Sequence, residues 1–308
     1  MIHLNHIMKA ILLLTLLACV FAEEMLVTRE YTDYLKKHVT WEVMDYEDNV
    51  FRGWTVEEAQ MFLGAIQPEE TEYVQPIDVV ANMPSKLNWA GADCDHGVKN
   101  QGNCGSCWAF ATTGMLSDRC CMQGHDNGWL APQELVSCDK KSKGCSGGWC
   151  TWALDYVKTV NGMVKEACFP YKASNAACPT KCADGSDWKG AHVCACPSYK
   201  TCVGVESVKS CLQKGPVTLA FGVCRSFMNY KSGVYKCDCG GSYLGLHAVL
   251  GMGYSDEGAA HYVVRNSWGT SWGMSGYFHI GVNECGISGT YPNGNVACET
   301  VGLNQTNF

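Results

Sequence analysis

Residues 99–110 read Lys-Asn-Gln-Gly-Asn-Cys-Gly-Ser-Cys-Trp-Ala-Phe and hold the chain's strongest candidate for chemistry. The pair Cys104-Gly-Ser-Cys107 is compatible with a redox dithiol, half of a zinc site, or one structural cysteine beside one reactive one. Its surroundings favour the last. The run from Trp108 to Arg119 has helical patterning, with Trp108, Ala111 and Met115 on one face, so Cys107 opens a helix. Unpaired N–H groups and the positive end of the helix dipole favour a thiolate there, and a thiolate is the form that attacks a carbonyl carbon. Gln101, earlier on the same non-helical segment, could aim its side-chain amide at the oxygen of the attacked carbonyl, beside the backbone N–H of Cys107.

A nucleophile in this setting needs a base. His247 opens the apolar run 247–254, which is followed by a turn-like Ser255-Asp-Glu-Gly258 and a second run, 261–268. Two such runs around a short polar loop read as an antiparallel hairpin. A turn centred between Asp256 and Glu257 sets Asn266 directly across from His247. The Asn266 carbonyl would then hold one ring nitrogen while the other faces the thiol. Trp268, on the same strand face as Asn266, would shield that contact from water.

Four segments, Gln101–Phe110, Gly144-Cys-Ser-Gly-Gly148, His247-Ala-Val and Asn266-Ser-Trp-Gly-Thr-Ser-Trp-Gly, resemble the signature segments of the papain-like cysteine peptidases, in family order over about residues 83–300. Ser117-Asp-Arg119 and Tyr230–Tyr235 are similar to segments of the cathepsin B-like subgroup. The resemblance implies an α+β fold of two lobes, a helix-rich N-terminal one and an antiparallel β-rich C-terminal one, with the active site in the cleft between them. It implies Cys107 as nucleophile, His247 as general base and acid, Asn266 as orienter and Gln101 as oxyanion donor. Peptides and proteins are the implied substrates, and the chain's own propeptide the implied inhibitor. No cofactor or metal is called for.

An extended peptide can pair with backbone only where no side chain blocks its approach, and Gly147-Gly148 meets that condition. The resemblance implies that Gly148 hydrogen-bonds the substrate backbone and that Trp149 walls the adjoining pocket. By the same resemblance, Thr290, five residues after Cys285, matches the position at the floor of that pocket where cathepsin B has an acid, so the expected preference is for apolar or aromatic side chains over arginine. The stretch Cys178–Cys202 contains His192 but not the histidine pair with which cathepsin B grips a substrate's C-terminal carboxylate. An open cleft and endopeptidase activity follow, with His192 read as a surface residue. The other readings are a carboxydipeptidase-type exopeptidase, a dithiol-disulfide oxidoreductase using Cys104 and Cys107, and a Cys-rich binding protein on a decayed peptidase scaffold.

Around this centre the chain divides three ways. Residues 1–22 carry Lys9, then an apolar core ending in Ala22, as a secretory signal does. Residues 23–82 lack cysteine and hold fourteen acidic against four basic residues, so a detachable acidic propeptide precedes a mildly basic body. Tyr31–Val43 and Thr55–Ile66 have helical patterning, the second opening with Thr55 and Glu58 spaced as a capping box. We expect this segment to lie over the cleft and to loosen as its carboxylates protonate. Residues 83–308 form the peptidase, with lobes at about 83–205 and 206–308. Strands are expected at Pro216–Val223 and Gly276–Gly281, and Trp89 is an early core candidate. Neither a membrane span nor a nucleic-acid site is expected, Lys140-Lys141-Ser-Lys143 being too short for the latter. A monomer in the secretory pathway, bound for a lysosome or vacuole or for the outside, is the resulting expectation.

The chain has 21 cysteines. Setting aside Cys19 in the leader and Cys107 as nucleophile leaves an odd number, so one more thiol is free or pairs between chains. By resemblance, Cys104–Cys145, Cys138–Cys178 and Cys239–Cys285 are the expected bridges. Cys182, Cys194, Cys196 and Cys202 cluster as a possible disulfide-bonded insert.

Overall fold

The computed structural model describes residues 23–69, 74–238, 242–289, 291 and 295–298. Residues 1–22, Cys239, Thr290 and Asn304-Gln-Thr306, which has the pattern of an N-glycosylation sequon, lie outside them. In chain order the helices are α1 (Arg29–His38), α2 (Val56–Phe62), α3 (Cys107–Met122), α4 (Pro132–Cys138), α5 (Cys150–Val160) and α6 (Val205–Leu212). The strands are β1 (Glu42–Val43), β2 (Lys86–Asn88), β3 (Tyr199–Thr201), β4 (Val217–Cys224), β5 (Tyr230–Ser232), β6 (Val234–Tyr235), β7 (Tyr243–Ser255), β8 (His261–Arg265), β9 (Tyr277–Gly281) and β10 (Val296–Cys298). Helices α3 to α5 make one lobe. A mostly antiparallel sheet ordered β3-β10-β4-β7-β8-β9-β6, with β2 on β7, makes the other. Two crossings join them: β2 carries the start of the helical lobe onto the sheet, and β3 pairs with the C-terminal β10.

Helix α3 is buried around its whole circumference from Cys107 to Cys120, not along one face. Its polar residues are internally partnered. Ser117 Oγ accepts from Leu130 N, and the Arg119 guanidinium donates to the carbonyls of Pro216, Cys298, Cys211 and Gly215. A helix so enclosed needs no amphipathic stripe.

Hairpin β7–β8 departs from the expected register. Its pairs run Ser255↔His261, Tyr254↔Tyr262 and Gly253↔Val263, then after an irregularity between Gly251 and Gly253 continue Gly251↔Val264 and Leu250↔Arg265. The turn is therefore centred on Gly258. An odd slip turns every side chain to the opposite face, an even one does not. Beyond the bulge the displacement from the expected register is two residues, so His247 and Asn266 keep a common face and meet diagonally.

The N-terminal segment lies on the sheet lobe. Thr55 caps α2 with Glu58 in the expected reciprocal box. The helix ends at Phe62 rather than running to Ile66, because residues 64–66 are drawn out into backbone pairing with the body. Leu26, Leu35, Trp41, Val43, Phe51, Phe62 and Leu63 join one apolar core with Phe227, Tyr230, Tyr235, Trp268 and Trp272. β1 pairs with β5, and Pro76 bridges Thr201.

The bridges Cys104–Cys145 and Cys138–Cys178 form as expected. Cys285 bonds Cys237, not Cys239: β6 ends beside the Cys285 loop, where Glu284 accepts from Cys237 N–H. The cysteines expected as a self-contained insert instead tie outward, as Cys168–Cys182, Cys120–Cys194, Cys196–Cys298 and Cys202–Cys211. Cys107 and a second buried cysteine, Cys150, are free. No helix among the described residues is long and apolar enough to cross a membrane.

Candidate active site

Cys107 is the first residue of α3, and Ser106 before it makes no side-chain cap, its hydroxyl being engaged by Tyr171 Oη at 2.6 Å. Ala109 N–H is bonded to Ser106 O, so the first-turn N–H groups that act on the sulfur are those of Cys107 and Trp108. Sγ of Cys107 accepts from Ala248 N–H at 3.5 Å, and Ala248 follows His247 on β7. Cys104 is bonded to Cys145, so it is not a redox partner of Cys107.

Nε2 of His247 meets Asn266 Oδ1 at 2.8 Å, and among the described residues no hydrogen-bond partner pairs with the buried Nδ1. Trp268 stacks on the imidazole with ring centroids 4.7 Å apart, giving the contact the expected apolar cover. Gln101 is wholly buried. Its Oε1 accepts from Ser267 Oγ at 2.7 Å, and its backbone N–H donates to Ser267 O at 2.8 Å. The first contact fixes the amide so that Nε2 points the other way. Ser267 was not foreseen; nothing in its position next to Asn266 signals that its hydroxyl reaches Gln101.

The N-terminal segment occupies this arrangement as an extended peptide. Gln101 Nε2 donates to Phe62 O at 3.1 Å. Gly148 donates to Gly64 O at 2.9 Å and accepts from Ile66 N at 3.0 Å, while Ala65 N donates to Leu246 O at 3.3 Å. Gly64 fits closely: a Cβ there would lie 1.8 Å from Gly105 O. A Cβ on Gly147 would lie 2.6 Å from the Ile66 side chain, so the Gly147-Gly148 pair does admit an extended backbone. Trp149 is fully buried beside Trp108 and Cys107 in the helical core with the segment in place. Beside the segment a cavity of about 690 Å³ remains, walled on the body's side by Asn103, Gly105, Cys145 and Ser146.

Enclosure sets the charge state. Burial pushes the Cys107 thiol up to about 11, against N–H groups of Ala248 and Gly64 that pull it down. Burial likewise takes His247 down to about 4, against the Asn266 contact. Both shifts favour the neutral pair.

His192 is not a surface residue. It is 4 % exposed, its Nε2 is 2.8 Å from Glu134 Oε1, and its Nδ1 is 2.9 Å from Trp188 O. Both ring nitrogens are therefore engaged.

The model of the family described as papain family cysteine protease matches residues 83–292. The chain is 39% identical over 208 residues to cathepsin B-like CP2 of Giardia intestinalis, which spans 63% of this chain and 67% of that protein. It is 33% identical over 274 residues to digestive cysteine proteinase 2 of Homarus americanus, spanning 84% and 83% respectively. Among solved structures, procathepsin B S9 from Trypanosoma congolense matches with a TM-score of 0.77 at 25% identity, over 92% of this chain and 99% of that one.

Proposed function

Since the chain belongs to the papain family of cysteine proteases, we propose that it is made as a zymogen and acts, once processed, as an endopeptidase of the secretory pathway. The observation that carries this reading is the seating of residues 62–66. A peptide backbone lies along Gly148 and Leu246 with its Phe62 carbonyl on Gln101 Nε2, and Gly64 N–H is among the groups acting on Cys107 Sγ. The cleft is therefore shaped for extended peptide, and the chain's own segment blocks it.

In the processed enzyme, water and substrate replace the segment, and the proton of Cys107 passes to His247. The thiolate attacks the substrate carbonyl, whose oxygen takes up charge between Gln101 Nε2 and the N–H of Cys107. His247 then gives its proton to the leaving amine. Water, deprotonated by the same imidazole, hydrolyses the thioester and regenerates the thiol. Asn266 holds the imidazole in the orientation both transfers need, and Trp268 keeps solvent from that contact.

Several finer assignments follow. Residues 78–82 form an exposed run before the body, which suits cleavage near residue 82. His192, committed to Glu134, is not free to grip a substrate carboxylate, and this supports an open-ended cleft over carboxydipeptidase action. Absence of an acid at Thr290 supports apolar or aromatic preference in the pocket beside Gly148, with Trp149 in its wall. The apolar leader and the many disulfides suit an oxidising compartment, with a lysosome, vacuole or the exterior as destination. The processed enzyme acts as a monomer.

Processed wild type and Cys107→Ala are to be compared on fluorogenic peptides with free and blocked C-termini. Activity lost in the variant, with good turnover of blocked apolar substrates by the wild type, is the expected result. Preference for free carboxylates would overturn the endopeptidase assignment, and activity surviving in Cys107→Ala would overturn the mechanism.

A further inference from the structure

Arg265 immediately precedes Asn266, and the mechanism above gives it no part. A guanidinium is always charged and costly to bury, yet Arg265 is only 4 % exposed. Its Nη1 lies 2.5 Å from Asp95 Oδ1 and 3.0 Å from Asp118 Oδ2, and both carboxylates are themselves buried. Each belongs to a different part of the fold. Asp118 is on α3, the helix that begins at Cys107. Asp95 lies on the loop after β2 and is held by Tyr277 Oη of β9 at 2.5 Å and by the N–H groups of Gly91 and Gly97.

The helix is built to receive this side chain. Gly114 sits in the interior of α3, where glycine is a poor helix former by about 1 kcal/mol relative to alanine. A Cβ at that position would lie 2.8 Å from Arg265 Nη2. Trp129 supports the guanidinium from the side, 5.2 Å from its ring centroid, and Lys99 lies over the same ring at 4.3 Å. His96 Nδ1 is 2.8 Å from the second oxygen of Asp118, and its Nε2 is 3.1 Å from Asp126. Lys99 is paired with Glu166.

We propose that Arg265 is a positioning residue for the peptidase site. By holding Asp118 and Asp95 together, it fixes the helix that starts at Cys107 against the strand end that carries Asn266. That connection sets the angle at which Asn266 presents its carbonyl to His247. The inference rests on the catalytic reading of Cys107, His247 and Asn266. A buried ion group is weak evidence for stability, and its use here is geometric: three elements meet at one guanidinium nitrogen, Nη1, while Nη2 is buried against Gly114 of α3 with no hydrogen-bond partner among the described residues.

The test compares processed wild type, Arg265→Lys, Arg265→Met and the triple variant Arg265→Met/Asp95→Asn/Asp118→Asn, with Cys107→Ala as control. The triple variant removes all three charges together, so it is expected to fold even where Arg265→Met, with two stranded carboxylates, is too destabilised to do so. Expected in each folded variant is a kcat lower by about 10- to 100-fold with KM within about twofold, as for a slight misplacement of reacting groups. The acid limb of the kcat/KM profile should also move, because the imidazole has lost its fixed partner. Arg265→Lys, which keeps the charge but not the planar group seated against Gly114 and Trp129, should fall between wild type and the triple variant. Unchanged kcat and acid limb in Arg265→Lys and the triple variant overturns the proposal, as does a fall in melting temperature with kinetics intact. If Cys107→Ala is inactive while these variants behave as wild type, only the positioning role fails; an active Cys107→Ala removes the reading beneath it.

Discussion

At Cys107 and His247 the same groups serve two states. Under the N-terminal segment both are enclosed, and burial drives each toward its neutral form, the thiol to about 11 and the imidazole to about 4. Thiolate is the reactive form, so the unprocessed chain should react with iodoacetamide slowly at pH 6 and faster only as pH climbs well above 9. On the proposed mechanism, water and the imidazolium stabilise the thiolate after processing, and fast alkylation at pH 6 is expected. Equal rates before and after processing, measured by mass spectrometry of the Cys107 peptide, would show that the segment does not control the sulfur. Ser267 acts on the same groups: by engaging Gln101 Oε1 it turns Nε2 toward the carbonyls of Phe62 and Cys104.

The segment after α2 acts through its backbone more than its side chains. Gly64 passes so near Gly105 that any Cβ must displace one strand or the other. Overpacking of this kind costs about 1–3 kcal/mol. A Gly64→Val precursor should therefore seat residues 62–66 poorly and process itself faster than wild type, with Cys107 alkylated sooner. An unchanged activation time course would mean that the block resides elsewhere, in the apolar joint of Phe51 and Phe62 over Trp268. The β7–β8 hairpin shows a second effect on this scale. Its bulge near Met252 changes an odd displacement into an even one and so returns Asn266 to the face of His247.

Charge across the joint between segment and body is limited. The described cross-pairs Glu24–Arg225 and Glu42–Lys231 have exposed carboxylates. The Glu42 pKa is lowered by the Lys231 and Ser232 contacts, so its contribution exists above the unfolded pKa and is lost as pH falls through the folded one. Exposed pairs are weak and screened by salt, whereas Trp41, Phe51 and Phe62 are deep in a shared core. Acid should loosen the segment while the apolar joint keeps it in place until the chain is cut. His96 gives the body an opposite dependence. Its pKa is raised, first by the Asp118 contact, so its stabilisation is full below the unfolded value of about 6.5 and is lost as pH rises through the folded value. The melting temperature of His96→Gln should fall below wild type by most at pH 5 and by least at pH 9. A gap that widens with pH would contradict the sign of this linkage.

What the sequence determined by itself was local and chemical. The helix opening at Cys107, the apolar runs of the hairpin, the Thr55 capping box and the four motif segments are all readable because each depends on neighbours a few residues away. The odd cysteine count left at least one further thiol either free or paired between chains, and Cys150 is free. Long-range closure was not readable. Which cysteines pair after Cys182, why Cys285 takes Cys237, and that His192 is buried against Glu134 depend on where distant loops are brought together. The same is true of the site's second layer. Ser267 on Gln101 and Arg265 between Asp95 and Asp118 join residues about 150 or more positions apart. Such contacts leave no periodicity or spacing in the chain, because their geometry exists only once two lobes have packed around one helix.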